Sequence, residues 1–179
     1  AQIDRFGDVN NIEIKKKSGG LLRLPGQGGM ADVANLHQNF ICYVTRHSKL
    51  SFVNKVDYVS AGRGVFQDED RKKAGLKPGK VKIFTNLCVF EKSFKTGLLE
   101  VVSIHHGVLK NEIESNTGFK VVYAKNCIIT PRPTNKELKI LREEVDPLNI
   151  RKLEFVSGED RMKLFKEILQ KEKELVKKI

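Results

Sequence analysis

Apolar and polar positions along the chain predict its elements in order. Residues 1–4 read as the end of a strand, cut off at its beginning. Phe6-Gly7-Asp8 reads as a turn, and residues 9–14 as the return strand. A polar, glycine-containing loop follows at 15–20. Leu21, Leu22 and Leu24 form a short extended run, then come Gly26, Gly28 and Gly29, then good helix formers from Met30 to about Gln38. This is the layout of a strand, a tight turn and a helix start. Phe-Ile-Cys-Tyr-Val-Thr at 40–45 is nearly continuous in β-prone apolar residues, the pattern of a strand buried on both faces. Residues 56–60 form a further candidate strand. Ala61-Gly62-Arg63-Gly64 and residues 75–79 bracket a surface loop holding a short helical piece. Residues 80–85 alternate Val81 and Ile83 against Lys80 and Lys82, predicting a half-exposed strand. Residues 89–92 and 98–104 pair as a hairpin around Lys95-Thr96-Gly97. A short helix at 109–116 stops at Thr117-Gly118, and residues 121–123 are extended. Thr134-Asn135-Lys136-Glu137 has the form of a capping box and opens a helix to about Glu144, with Pro147 ending the element. Beyond Ser157-Gly158-Glu159-Asp160, the residues Leu164, Phe165, Ile168, Leu169, Leu175, Val176 and Ile179 fall at helical spacing among Lys and Glu. That segment is an amphipathic helix whose apolar face packs on the body or on a partner.

At 179 residues the chain is one domain, or most of one. No apolar run approaches the roughly 20 residues that span a bilayer, and no charged-then-apolar leader precedes the first strand. Cys42, Cys88 and Cys127 are odd in number, far apart and set in apolar stretches, which fits free thiols in a reducing cytoplasm. The net charge of +11 admits nucleic acid, an anionic membrane or an anionic ligand as partner. The basic residues are dispersed, however. The cluster Arg71-Lys72-Lys73 is offset by Asp68-Glu69-Asp70, and few aromatics interleave to stack bases. A solvated lysine-rich surface is the expectation, with neither nucleic acid nor membrane as partner.

Candidate chemistry is sparse outside the glycine loop. No C-x-x-C occurs, and none of His37, His47, His105 and His106 stands at a metal-ligand spacing, so no metal site is expected. All four histidines read as structural or surface residues. No Ser-His-Asp or Cys-His constellation emerges. Asp32 lies in the first turn of its helix, where the dipole alone accounts for a carboxylate. Asn10 and Asn11 either organise a turn or offer an amide to a substrate oxygen. Glycines before a helix start bring backbone N–H groups close to a ligand without a Cβ, which suits a phosphate, carboxylate or oxyanion.

Several separate motifs stand in register. They are Asp4-Arg5-Phe6-Gly7-Asp8-Val9-Asn10-Asn11, Arg23-Leu24-Pro25-Gly26-Gln27-Gly28-Gly29-Met30, His47-Ser48-Lys49 and Phe52-Val53-Asn54-Lys55-Val56-Asp57-Tyr58. Farther on come Ala74-Gly75-Leu76, Asn116-Thr117-Gly118-Phe119 and Leu141-Arg142-Glu143-Glu144-Val145-Asp146-Pro147-Leu148. In this order the chain resembles the beta (B) subunit of family I coenzyme A transferases, nearest the glutaconate type, from Ala1 to about Leu153. His106 departs from the pattern, which usually has proline there.

The resemblance implies an α/β fold, a three-layer, open, largely parallel sheet with helices on both faces. It implies residues 1–153 as the family domain and 154–179 as an amphipathic helical extension. The implied activity is ping-pong acyl-CoA:carboxylate coenzyme A transfer through a glutamyl-CoA thioester. Acyl-CoA and a small carboxylate are the substrates, no further cofactor is needed, and an alpha (A) subunit completes a cytoplasmic hetero-oligomer. Gly28 and Gly29 are implied as backbone oxyanion donors, and Gly26, Gln27 and Asn10 as substrate or coenzyme A contacts. The family's catalytic glutamate falls upstream of the matching segment. Glu13, Glu69, Glu91 and Glu100 match nothing catalytic, so the chain is expected to be the C-terminal two-thirds of a beta subunit, inactive alone. Two alternatives stay open: a related thioester or ring-opening hydrolase subunit, and a non-catalytic basic domain that binds anions or nucleic acid.

Overall fold

Asp4 sets the first turn. Its carboxylate accepts the N–H groups of Phe6 (2.9 Å) and Asp8 (3.2 Å), and Gly7 at φ +78° closes the loop. The turn joins β1 (Gln2–Ile3) to β2 (Val9–Asn10) as a small antiparallel pair. The computed structural model describes residues 1–62 and 68–176. They form two compact units, Ala1–Thr130 and the segment from Pro131 onward.

The predicted strand at 9–14 is broken. Asn10 and Asn11 turn the chain, so β3 (Glu13–Lys15) pairs instead with β4 (Leu21–Arg23). The side-chain oxygen of Asn10 takes the N–H groups of Ile12 (3.1 Å) and Glu13 (3.3 Å), which is incompatible with a continuous ladder. Helix α1 (Met30–Leu36) follows the glycine loop, and β5 (Phe40–Val44) follows α1. Residues 56–60 form no strand; the chain there is tied to the first hairpin by an isolated bridge, Ala61 to Val9, and by side-chain hydrogen bonds of Gln2, Asp4 and Ser60. Of the predicted surface loop, Arg63 and Gly64 lie outside the described residues, and the helical piece is α2 (Asp68–Lys73).

Strands β6 (Val81–Thr85), β7 (Cys88–Lys92), β8 (Leu99–Ile104) and β9 (Val122–Ile129) complete a five-stranded sheet of order β5-β6-β7-β8-β9. The expected hairpin is β7–β8. Helix α3 (Lys110–Asn116) crosses from β8 to β9, which runs well past the three residues expected of it. The class is α/β, as expected. The sheet is mixed rather than largely parallel: β5–β6 and β8–β9 are parallel, β6–β7 and β7–β8 antiparallel.

The register separates the two faces of the sheet. Cys42, Ile83, Phe90, Val101 and Tyr123 align across all five strands on the core side. There they join Ile3, Val9, Phe52, Ala34 of α1 and Ile113 of α3 in one apolar cluster. The neighbouring row, Ile41, Lys82, Glu91, Glu100 and Val122, lies on the other side. Ile41 (61%) and Tyr43 (60%) are exposed on that face, and Phe84 is partly so. Strand β5 is therefore covered on one face, not both, and the described residues make two layers there rather than three. Glu91 is held by Lys80 and Lys82, each at 3.1 Å. Burial opposes its ionisation, but the two ammonium groups outweigh it and keep its pKa below the usual value.

The second unit is helical. Thr134 caps α4 (Asn135–Ile140) in a reciprocal box with Glu137, as the sequence predicts. The helix then widens into a π-helical turn over Leu141–Val145 and ends before Pro147. The last helix, α5 (Gly158–Val176), buries only Ile168, and its predicted member Ile179 lies outside the described residues. Among the described residues no helix is long and apolar enough to cross a membrane.

Candidate active site

The glycine loop is built on the turn that breaks the first strand. Leu24 N–H donates to Ile12 O (2.8 Å), carrying the chain to Pro25 and Gly26. Asn11 then clamps Gly26 from both sides: Gly26 N–H donates to Asn11 O, and Asn11 Nδ2 donates to Gly26 O, each at 2.8 Å. Asn11 is itself held by Ser60, whose hydroxyl accepts Asn11 N–H and donates to Val9 O, both at 2.9 Å. Past this anchor the chain needs glycine, since Gly26 sits at φ +106° and Gly28 at φ +51°. Met30 N–H returns to Gln27 O (3.0 Å), and Val33 N–H to Gly29 O (3.0 Å) begins α1.

Gln27, Gly28 and Gly29 are exposed, and among the described residues the N–H groups of Gly28 and Gly29 make no hydrogen bond. A Cβ built on either glycine would meet nothing within 4 Å. The loop thus presents two adjacent free donors on open space, framed by a fixed anchor and a helix start. Such a pair can hold a carboxylate, a phosphate or the oxyanion of an acyl group under attack.

Asn10 is placed otherwise than the substrate-binding role requires. It is fully buried. Its Nδ2 donates to Gln2 Oε1 (2.8 Å) and Glu13 O (2.6 Å), and its Oδ1 holds the Ile12 and Glu13 amides. No amide atom is left to offer a ligand, so Asn10 builds the turn and its neighbour Asn11 holds the loop. Sequence reasoning paired the two asparagines but had no signal to tell which one faced inward. Three of the four weighed glutamates are engaged elsewhere, and the fourth, Glu69, lies in α2: Glu13 pairs with Arg23 (3.6 Å), Glu91 with its two lysines, and Glu100 accepts from Thr96 at 3.5 Å.

A second polar cluster, missed in the sequence, gathers beyond the C-terminal ends of β6, β8 and β9. His47 is buried, stacked on Phe52 at 4.1 Å, with its ring nitrogens on Thr85 Oγ1 (Nδ1, 3.1 Å) and Thr117 Oγ1 (Nε2, 2.9 Å). Thr117 donates its proton to Ile113 O (2.7 Å), so its oxygen accepts from Nε2–H. Thr85 Oγ1 accepts from the N–H groups of Leu87 and Cys88, and its one proton has two acceptors within reach, Cys88 O at 3.0 Å and Nδ1. These partners assign the neutral Nε2–H tautomer, and desolvation of the ring lowers its pKa to about 4. His105 bridges Thr130 Oγ1 (2.9 Å) and Thr85 O (2.8 Å). Both rings serve packing. Burial likewise raises the thiols of Cys42, to about 11, and Cys88, to about 12, which leaves them protonated and unreactive near neutral pH. Among the described residues no group of three or more His, Cys, Asp or Glu side chains could hold a metal ion.

A Gly-x-Gly-Gly loop with free amides, beside a mixed α/β sheet, is able to take an anion or an acyl oxygen, and comparison with known proteins says what the chain is similar to. No family model matches the chain. The chain is 36% identical over 145 residues to the beta (B) subunit of the 3-oxoadipate CoA-transferase of Pseudomonas knackmussii, covering 79% of this chain and 55% of that one. It is 29% identical over 150 residues to the beta (B) subunit of the glutaconate CoA-transferase of Acidaminococcus fermentans, covering 82% and 55%. The crystal structure of that glutaconate enzyme superposes with a TM-score of 0.68 at 28% identity, over 82% of this chain and 56% of that one. The crystal structure of IpdAB from Rhodococcus jostii superposes with a TM-score of 0.72 at 28% identity, over 88% and 62%. By sequence and fold the chain is a homologue of coenzyme A transferase beta subunits. It spans about half the length of the curated relatives it matches.

Proposed function

We propose that the chain is part of the beta subunit of an acyl-CoA:carboxylate coenzyme A transferase that works with an alpha subunit. The observation that carries this reading is the exposed pair of free Gly28 and Gly29 amides in a chain 36% identical to a 3-oxoadipate CoA-transferase beta subunit. In the proposed reaction a glutamate carboxylate, assigned to no glutamate of this chain, attacks the thioester carbonyl. The acyl–sulfur bond breaks, giving an acyl-glutamyl anhydride and coenzyme A thiolate. The thiolate attacks the glutamyl carbonyl, releasing the carboxylic acid and leaving an enzyme thioester. The acceptor carboxylate takes the coenzyme A by the reverse steps. Each attack builds negative charge on a carbonyl oxygen, and two preorganised N–H donors stabilise that charge more than the ground state. Gly26 and Gln27 flank the reacting group.

The test is a mass-spectrometric screen of the complete assembly with several acyl-CoAs and several acceptor acids. New acyl-CoA that forms only when an acceptor is present supports a transferase. A hydrolase subunit is the second reading, favoured by the superposition on IpdAB. It predicts release of free coenzyme A with no acceptor added. Steep, salt-sensitive binding of nucleic acid without either activity would overturn both.

A further inference from the structure

Arg71 lies in α2, far along the chain from the glycine loop, yet its side chain is only 1% exposed. The guanidinium is spent on main-chain carbonyls. Nε and Nη2 donate to Lys77 O at 3.2 and 3.0 Å, Nη2 also donates to His37 O at 3.0 Å, and Nη1 donates to Asn35 O. Asn35 O and His37 O belong to the last turn of α1 and the residue beyond it, where carbonyls lack intrahelical partners and the helix dipole is negative. A planar fork with five donors can meet several such carbonyls at once, which an ammonium cannot.

Helix α1 is otherwise seated on the body by Ala34, a member of the apolar cluster, and by Met30, which packs against that cluster. Of its seven residues only Ala34 is buried, and Val33 and Leu36 are exposed. The same helix begins directly at Gly29, so whatever fixes its far end fixes the loop. Asn11 anchors the entry to the loop at Gly26; Arg71 anchors the exit through the length of α1.

We propose that Arg71 is a positioning residue for the Gly28–Gly29 amides, acting through α1. The proposal rests on the role given to those amides under the transferase reading. Geometry at a reacting centre is sensitive at this scale, since a shift of about 1 Å can lower a rate on the order of 100-fold. A buried arginine with only carbonyl contacts could merely stabilise the fold, so the test separates the two roles.

Arg71→Met and Arg71→Lys are made in the full protein and assembled with its partner subunit. Two readouts are taken: hydrogen exchange by mass spectrometry, and kcat against KM with the donor and acceptor found in the screen. In Arg71→Met, exchange across residues 26–37 is expected to rise about tenfold or more while the β6–β8 amides hold. kcat is expected to fall at least tenfold with KM within twofold. Arg71→Lys, which keeps the charge but reaches fewer carbonyls, falls between. Exchange unchanged at 26–37 in a folded Arg71→Met overturns the proposal, as does a rise shared equally by the whole sheet. If the unaltered assembly transfers no coenzyme A, the transferase reading fails and exchange alone decides the anchor. If neither variant folds, native-state exchange of the unaltered protein decides: the α1 amides and those of residues 74–76 must open together, and independent opening overturns the link.

Discussion

Gly28 and Gly29 differ in what a side chain would do to them. Gly28 sits at φ +51°, so any L-residue there is strained. Gly29 has an ordinary backbone, φ −83°, and open space around a built Cβ. Gly29→Val is therefore expected to fold with nearly unchanged Tm while crowding whatever the amides bind. A fall in kcat on the order of 100-fold, measured on the assembled enzyme, is the expected result. Near-normal turnover in a folded variant would remove the amides from the mechanism. His47 gives a prediction of a different kind. Its pKa is about 4 in the fold against 6.5 as the ordinary value, so between those limits the unfolded chain binds the extra proton. Stability is complete above about pH 6.5 and is lost as pH falls toward 4, by an amount on the order of 3 kcal/mol. Urea midpoints followed across that range should step down, and in His47→Gln the step should be absent. Neither the neutral ring nor its threonine partners were legible in the sequence. Thr85 and Thr117 lie 38 and 70 residues away and meet His47 only through strand order and the turn after α3.

Elements defined by local chemistry were legible; those defined by long-range packing were not. The Thr134 capping box, the β7–β8 hairpin and the glycine loop carry their instructions within a few residues, and the structure has them where the sequence puts them. The strand at 40–44 carries no such instruction about its second face. A run of apolar residues fits burial on both sides, and only the register shows Ile41 and Tyr43 on a face that the described residues leave open. Strand β9 was read too short because its polar middle, Lys125 and Asn126, breaks the apolar pattern; the register with β8 shifts there, and pairing resumes at Ile128 and Ile129. Between α1 and β6 the chain passes close to itself, and a Cβ on Gly79 would fall 1.4 Å from Gln38 O. Backbone must move to admit it, so Gly79→Ala is expected to destabilise by more than about 2 kcal/mol in urea unfolding. Gly75→Ala, at φ +73° in open space, should lose only about 1 kcal/mol.

At the scale of the molecule, stability is unevenly divided. Among the described residues, all fifteen members of the core cluster come from the first unit, whereas the second buries a single apolar side chain, Ile168. The backbone at 131–134 is exposed and forms no helix or strand. Subtilisin at low dose is therefore expected to cut there first and to leave a fragment of about 130 residues. That fragment should melt within a few degrees of the whole chain. Loss of cooperative melting would show that the second unit helps to hold the first. The likeness to coenzyme A transferase beta subunits was legible because several short motifs stand in order. The free amides were not, since a hydrogen bond left unmade has no sequence signature.

Strand β5 is an edge of the sheet among the described residues, and it carries Phe40-Ile41-Cys42-Tyr43-Val44 without a charge. A sheet edge beside exposed Ile41 and Tyr43 is a template for another strand. In a test tube this becomes a colloidal property: purified alone and concentrated, the chain should scatter more light with time despite its high positive charge. Salt should hasten the scattering by screening the repulsion between molecules, and Ile41→Lys should slow it by putting a gatekeeper charge on the growing edge.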